Sequence, residues 1–422
     1  MDVGSFIIQG GNSLNGEVSI SGAKNAVLPI LAGTVLSSGE DTIREVPRLR
    51  DVKVMKEVLN TLGAKVTQDN NVITVDSSVI DSWEIPEYLM RKMRATIFLM
   101  GPLLARFNQV RISQPGGCSI GPRPIDLHIK GLEALGVEFT EGHGYLEGKV
   151  DELKGTDIHL DFPSVGATEN IMMAATKAKG ITKIRNCAKE PEIIDLQNFL
   201  NGMGAQIKGA GTDVIKVKGV KELNSIDYTV IPDRIETGTF MVAAAMTNGE
   251  ILLNNVIPEH VEPIMAKLLE TGTDVQYNQD QIKVIANSKI ESVDVKTLPY
   301  PGFPTDMQPQ FMTLLSMAEG TSVVTETIFE NRLKHADELR RMGADIRIES
   351  HSAIINGIDR LSGATVEASD LRAGAALVLA GLVAEGETQV DNIYHVDRGY
   401  ENLGSKILEL GGQITRLTTT SV

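Results

Sequence analysis

Two kinds of helical pattern alternate along the chain. The first is apolar nearly all the way round and rich in small residues, over 26–36, 97–104, 167–178, 240–246, 311–318 and 373–384. A helix without a polar face predicts burial on every side. The second is amphipathic, as in 51–62 and 193–203, and predicts one face toward water. Short alternating segments such as Ile215-Lys216-Val217-Lys218 and Ile282-Lys283-Val284-Ile285 follow, and these predict half-buried strands.

The alternation is periodic. A turn signature ends each amphipathic helix, at Leu62-Gly63-Ala64, Leu135-Gly136-Val137, Met203-Gly204-Ala205, Thr271-Gly272-Thr273, Met342-Gly343-Ala344 and Leu410-Gly411-Gly412, with the central glycines 68 to 73 residues apart. Glycine just past a helix predicts a left-handed stop. Five of the apolar helices also close on glycine (Gly39, Gly180, Gly249, Gly320 and Gly386), whereas the second repeat runs through Arg106-Phe107-Asn108. Each repeat of about 70 residues therefore reads as strand, buried helix, strand, amphipathic helix and hairpin. Six copies divide most simply into two α/β domains of three, with buried helices inside and sheet outside. A solenoid would need polar capping repeats at its ends, and none is visible.

Length and composition narrow the class. At 422 residues the chain suits two domains of about 200. Its 40 glycines form no biased tract, which excludes collagen-like and disordered chains. No apolar run approaches the roughly 18 residues of a membrane span. Met1-Asp2-Val3-Gly4-Ser5 lacks the basic and apolar regions of a signal peptide, so the expectation is a cytoplasmic protein. A net charge of −15 argues against nucleic acid or an anionic membrane as partner and leaves a monomer as the expected state. It does not exclude a small anion held by a few local cations. The two cysteines, Cys118 and Cys187, sit in such different settings that no disulfide is expected.

Candidate chemistry gathers just before the apolar helices. These segments are Ser21-Gly22-Ala23-Lys24-Asn25, Met93-Arg94-Ala95, Ser164-Val165-Gly166-Ala167-Thr168, Asp233-Arg234-Ile235-Glu236-Thr237-Gly238, Pro304-Thr305-Asp306 and Asp370-Leu371-Arg372. Helix N-termini favour anions, and Lys24, Arg94 and Arg372 would reinforce an anion site in the gap between domains. The plain alternative for Ser164 and Thr237 is helix capping. The glycine- and proline-rich run from Gln114 to Pro124 predicts a loop. There Arg123 would lower the pKa of Cys118, making it a nucleophile or proton donor; an incidental loop thiol is the alternative. Cys187, at a strand end, reads as structural.

Arg332 and Arg398 occupy equivalent places in repeats five and six, and together with Arg123 they suggest a shared anion-binding role. Ion pairs with neighbouring acids are the alternative for each alone. The seven histidines include no zinc-ligand pair and neither cysteine lies in a CxxC, so no metal is expected. His128 reads either as a substrate-orienting group or as a helix cap. No dinucleotide or P-loop fingerprint occurs.

Several motifs resemble one family. They are Ser21-Gly22-Ala23-Lys24-Asn25-Ala26, Pro115-Gly116-Gly117-Cys118-Ser119-Ile120-Gly121, Arg123-Pro124-Ile125-Asp126-Leu127-His128, Ile231-Pro232-Asp233-Arg234-Ile235-Glu236-Thr237-Gly238-Thr239, Phe303-Pro304-Thr305-Asp306-Met307-Gln308, Phe329-Glu330-Asn331-Arg332 and His395-Val396-Asp397-Arg398-Gly399-Tyr400. Over essentially the whole chain the sequence resembles the UDP-N-acetylglucosamine 1-carboxyvinyltransferases, enolpyruvyl transferases that open bacterial peptidoglycan synthesis. The resemblance implies an inside-out α/β barrel fold in two domains built from six pseudo-repeats. Residues 23–231 would form one domain, 1–22 with 232–422 the other, and the active site would lie in the cleft between them. The implied reaction moves the enolpyruvyl group of phosphoenolpyruvate to the sugar 3-hydroxyl, releases phosphate and needs no cofactor.

The same resemblance implies the residue roles. Carbon 2 of phosphoenolpyruvate becomes electrophilic only as carbon 3 gains a proton. Cys118 would supply that proton, could form an adduct, and would make the protein a fosfomycin target. Asp306 would accept the sugar hydroxyl proton or position the hydroxyl. Lys24, Arg123 and Arg398 would hold phosphate, Arg332 and Arg372 the carboxylate, and Asn25 would help to place phosphoenolpyruvate. UDP-N-acetylglucosamine would meet Arg94, Arg123, Pro124, Ile125, Asp126, Leu127, Ser164, Val165, Gly166, Asp306 and Ile328. Some relatives carry a basic residue where this chain has Phe162, with ring stacking as a substitute contact. The rival readings are a 3-phosphoshikimate 1-carboxyvinyltransferase and a catalytically silent binding protein.

Overall fold

All six repeat-marking glycines adopt positive φ, from 87° at Gly272 to 107° at Gly63. Each ends an amphipathic helix in the conformation that only glycine enters without a Cβ penalty. In the second repeat, which lacks a closing glycine, Asn108 takes the left-handed position instead, at φ 58°. The computed structural model describes residues 3–113, 125–142, 144–287 and 289–419. Cys118, Arg123 and Pro124 therefore lie outside the described residues.

The described residues form two compact units, one from Gly22 to Ile231, the other from the segment ending at Ser21 together with Pro232 onward. Each holds three sheets. A representative sheet pairs Ile181–Arg185 in parallel with Asp157–His159 and antiparallel with the hairpin strand Val214–Lys218. Thr182 and Ile184 on one face are buried and their neighbours face water. The buried face packs on helices, so the helices lie inside and the sheets outside.

The sheets also close each unit on itself. Asp227–Thr229 runs parallel to Glu40–Arg44, joining the last strand of the 22–231 unit to its first. In the other unit Asn15–Ser19 runs parallel to Glu250–Asn254. Val3–Gln9 is inserted between Glu387–Asp391 and Gln413–Thr419, antiparallel to both. The N-terminal segment thus supplies two strands to a unit whose other described residues run from Pro232 onward.

The buried helices are Lys24–Gly33, Met100–Phe107, Val165–Ala175, Arg234–Met246, Gln308–Leu315 and Leu371–Val383. Small residues let them approach one another closely. A Cβ on Gly101 would lie 2.2 Å from the Asn170 carbonyl oxygen on the neighbouring helix. Five of the six helices begin earlier than their apolar runs, so Lys24, Asn25, Arg234 and Arg372 sit inside first turns rather than ahead of them. Polar and glycine residues masked these starts. Gly238, for instance, is small because Ile264 and Met307 press against its helix. The second repeat differs again: Arg94–Leu99 is a 3-10 turn, and the α-helix starts only at Met100, with Pro102 in its first turn.

Candidate active site

Asp306 belongs to a 3-10 turn, Thr305–Met307, that leads into the Gln308–Leu315 helix. Arg372 lies in the first turn of the Leu371–Val383 helix, whose N-cap Asp370 accepts from the Arg372 and Ala373 N–H groups. Arg332 follows the strand Thr321–Thr325 by seven residues. The fold brings the three together. Asp306 Oδ1 accepts from Arg332 Nη2 at 3.0 Å, and Oδ2 accepts from Arg372 Nε at 3.1 Å and Nη2 at 3.0 Å. The arginine side chains are 3% and 1% exposed, whereas that of Asp306 is 25% exposed. A carboxylate held by two buried guanidiniums thus keeps one side open.

Burial alone would push the Asp306 carboxyl up. The charges of Arg372, Arg332 and Arg234, with the Arg372 hydrogen bonds, outweigh it and hold the carboxyl well below the usual range. Burial works against the Arg372 charge, but Asp306 more than compensates and keeps the guanidinium firmly protonated. His335, next to Arg332 in the interior, is pushed down to about 4, by burial first and by Arg332, against the pull of Asp370. At neutral pH it adds no further cation.

Glu326 organises the adjoining turn. Its Oε1 accepts from the Thr297 hydroxyl at 3.0 Å and from the Ile328 and Phe329 N–H groups at 2.8 and 3.2 Å. Its Oε2 accepts from Thr305 at 2.9 Å, so one buried carboxylate ties Ile328 to the residue before Asp306. Arg398 ends the 3-10 turn Val396–Arg398 in the same unit and is half-buried.

In the other unit Lys24 opens its helix with Asn25 beside it, and Lys24 Nζ meets Asp51 Oδ2 at 2.8 Å in a nearly dry setting. Ser164 is the N-cap of Val165–Ala175, its hydroxyl accepting from Ala167 N at 3.3 Å, so the capping reading holds for it. Thr237 is no cap: Asp233 takes that place, and the Thr237 hydroxyl donates to the Asp233 carbonyl at 2.9 Å. Ile125 precedes the Asp126–Ala134 helix, with Asp126 exposed and Leu127 half-buried.

His128 is buried, and its role as a helix cap is not what the fold shows. Asn170 Oδ1 accepts from Gly101 N at 2.8 Å, which turns Nδ2 toward His128 Nδ1, also at 2.8 Å. Nδ1 must then accept, leaving the hydrogen of the neutral imidazole on Nε2. A Cβ on Gly166 would lie 3.1 Å from this ring and from Phe98. Phe162, two residues before Ser164, is 45% exposed. Arg94 starts its 3-10 turn and is half-buried.

Several partners escaped the sequence reading. Asp51 appeared only as the start of an amphipathic helix, and its sole signal was an acid on the apolar side of that pattern. Glu326 carried no signal of its own in the sequence. Cys187 is buried, its thiol 3.2 Å from the Thr212 carbonyl and pushed up by burial, as suits a structural residue.

Known proteins share this architecture. The enolpyruvyl transferase NikO from Streptomyces tendae superposes with a TM-score of 0.90 at 24% identity, covering 99% of this chain and 100% of that one. The EPSP synthase from Acinetobacter baumannii superposes at 0.78 with 19% identity, covering 98% and 100%. Residues 8–407 match the EPSP synthase (3-phosphoshikimate 1-carboxyvinyltransferase) family model. The fold is thus that of the enolpyruvyl transferases, and the family-model match over residues 8–407 puts the chain in that class.

The UDP-N-acetylglucosamine 1-carboxyvinyltransferase 2 of Carboxydothermus hydrogenoformans is 57% identical over 98% of this chain and 99% of its own. The UDP-N-acetylglucosamine 1-carboxyvinyltransferase 1 of Symbiobacterium thermophilum is 55% identical over 98% and 95%. The chain belongs to the UDP-N-acetylglucosamine 1-carboxyvinyltransferase family.

Proposed function

We propose that this protein transfers the enolpyruvyl group of phosphoenolpyruvate to the 3-hydroxyl of UDP-N-acetylglucosamine, releasing phosphate for peptidoglycan synthesis. The observation that supports it most is the Arg332–Asp306–Arg372 cluster, a half-open carboxylate between two buried cations. Preorganised cations of this kind stabilise a doubly anionic substrate as it passes through a charged tetrahedral intermediate. Arg332 and Arg372 hold the phosphoenolpyruvate carboxylate; Lys24, Arg123 and Arg398 hold phosphate, with Asn25 beside them. Cys118 protonates carbon 3 and is the site of fosfomycin attack.

A carboxyl held as low as Asp306 is a weak base. Its part is to accept a hydrogen bond from the sugar hydroxyl and to steady the arginines, rather than to carry the proton away. Arg94, the run from Arg123 to Leu127, Ser164 to Gly166 and Ile328 receive the nucleotide sugar. The −15 charge fits a monomeric cytoplasmic enzyme. Among the described residues no helix is long and apolar enough to cross a membrane.

Phosphate release is the test. It is expected only with both substrates present, and it should vanish after fosfomycin pretreatment or in Cys118→Ser while surviving in Cys187→Ser. Release with shikimate 3-phosphate in place of the nucleotide sugar would move the substrate assignment, and no release with either would point to a silent binding protein.

A further inference from the structure

Arg372 is 1% exposed, yet its assigned task is to grip a substrate anion. Nε and Nη2 are committed to Asp306, while Nη1 has no hydrogen-bond partner among the described residues. The guanidinium lies over the Tyr400 ring, its carbon 5.2 Å from the centroid and within cation–π range. Tyr400 is itself 2% exposed.

The Tyr400 ring is firmly held. The Thr239 hydroxyl donates its single hydrogen to the Ile235 carbonyl at 2.7 Å. Thr239 Oγ1 therefore accepts from the Tyr400 hydroxyl at 3.0 Å and from Gln310 Nε2 at 3.1 Å. The second hydrogen of Gln310 Nε2 goes to the Tyr400 oxygen, also at 3.1 Å. Thr239 and Gln310 stand on the buried helices Arg234–Met246 and Gln308–Leu315, and both are essentially inaccessible. The hydroxyl of Tyr400, from a third repeat, is thus pinned by the other two repeats of the unit. The ring cannot swing away about the Cα–Cβ bond without breaking two buried hydrogen bonds.

We propose that Tyr400 is a positioning residue for the transfer reaction: its pinned ring holds Arg372 against Asp306 and reserves Nη1 for the carboxylate of phosphoenolpyruvate. This rests on the functional reading above and adds a residue to which that reading gives no role. A merely structural tyrosine would affect both substrates alike. A positioning tyrosine acts on phosphoenolpyruvate.

The test compares Tyr400→Phe, which keeps the ring and loses the pin, with Tyr400→Leu, which loses both. Tyr400→Leu is expected to raise the KM for phosphoenolpyruvate at least tenfold and that for UDP-N-acetylglucosamine less than twofold, with Tyr400→Phe between. Equal rises in both KM values, or none, would overturn the proposal. Should Tyr400→Leu fail to fold, solvent exchange of the Arg372 Nε–H, followed by ¹⁵N NMR in arginine-labelled protein and assigned through Arg372→Lys, decides on Tyr400→Phe alone. Exchange at least tenfold faster is expected, and unchanged exchange would overturn the proposal. A wild-type protein without transfer activity would overturn the functional reading instead, and the exchange rate would then still decide whether Tyr400 holds Arg372.

Discussion

Asp306 and Arg372 meet through a single carboxylate oxygen: Oδ2 accepts from both Nε and Nη2, at 3.1 and 3.0 Å. The other oxygen is left to Arg332. The two arginines would repel one another without the carboxylate between them, and each would lose a charged partner in a buried setting. The aspartate is therefore a condition for placing two cations side by side.

Replacing Asp306 by Asn should cost about 2 kcal/mol at pH 7, below the range for fully buried pairs because its side chain is 25% exposed. The folded-state pKa is depressed, so this stability is present above the unfolded value of 3.8 and lost as pH falls toward the folded one. Thermal unfolding of wild type and Asp306→Asn should converge progressively below about pH 4. A gap that stays constant down to pH 3 would refute the account. Phosphate release should fall by roughly a hundredfold or more.

Glu236 and Lys406 form another buried pair, 2.6 Å apart with side chains 2% and 15% exposed. Lys406 Nζ also donates to the Ser19 carbonyl and the Ser21 hydroxyl, and Ser21 N donates to Glu236 Oε2. Glu236→Leu alone strands an ammonium and should cost about 3 kcal/mol. The double variant Glu236→Leu/Lys406→Met should cost clearly less than the sum of the singles. Urea unfolding of the four proteins measures this, and additivity within about 0.5 kcal/mol would show the pair uncoupled.

Asp41 carries the opposite pH signature. Burial pushes its carboxyl up to about 6, against the hydrogen bonds from Ser37 and Ile226. Stability from a raised carboxyl is fully present below the unfolded value of 3.8 and is lost as pH rises through about 6. Asp41→Asn keeps an acceptor for Ile226 N and cannot ionise. Its melting temperature relative to wild type should rise between pH 4 and pH 8, by the equivalent of at most about 3 kcal/mol. A pH-independent difference would place the charge elsewhere.

The periodic part of the structure was legible from residue spacing alone. Leu62-Gly63-Ala64 and its five counterparts announce left-handed stops because only local backbone geometry is at stake, and all six glycines adopt it. The apolar runs mark the buried helices for the same reason, since a helix without a polar face has nowhere to go but inside. Family motifs then named Lys24, Asp306, Arg332 and Arg372 as a chemical set. What spacing could not supply was partnership. Nothing near Lys24 in sequence points to Asp51, 27 residues on, and nothing near Arg372 points to Asp306, 66 residues back, or to a Tyr400 ring pinned by Thr239 and Gln310. The insertion of Val3–Gln9 beside Gln413–Thr419 is equally silent in the local pattern. Helix stops and buried faces follow from interactions within a few residues, so the sequence by itself determined them. Ion pairs, proton directions and strand insertion depend on which distant segments the closed sheets carry together, and that only the tertiary structure decided.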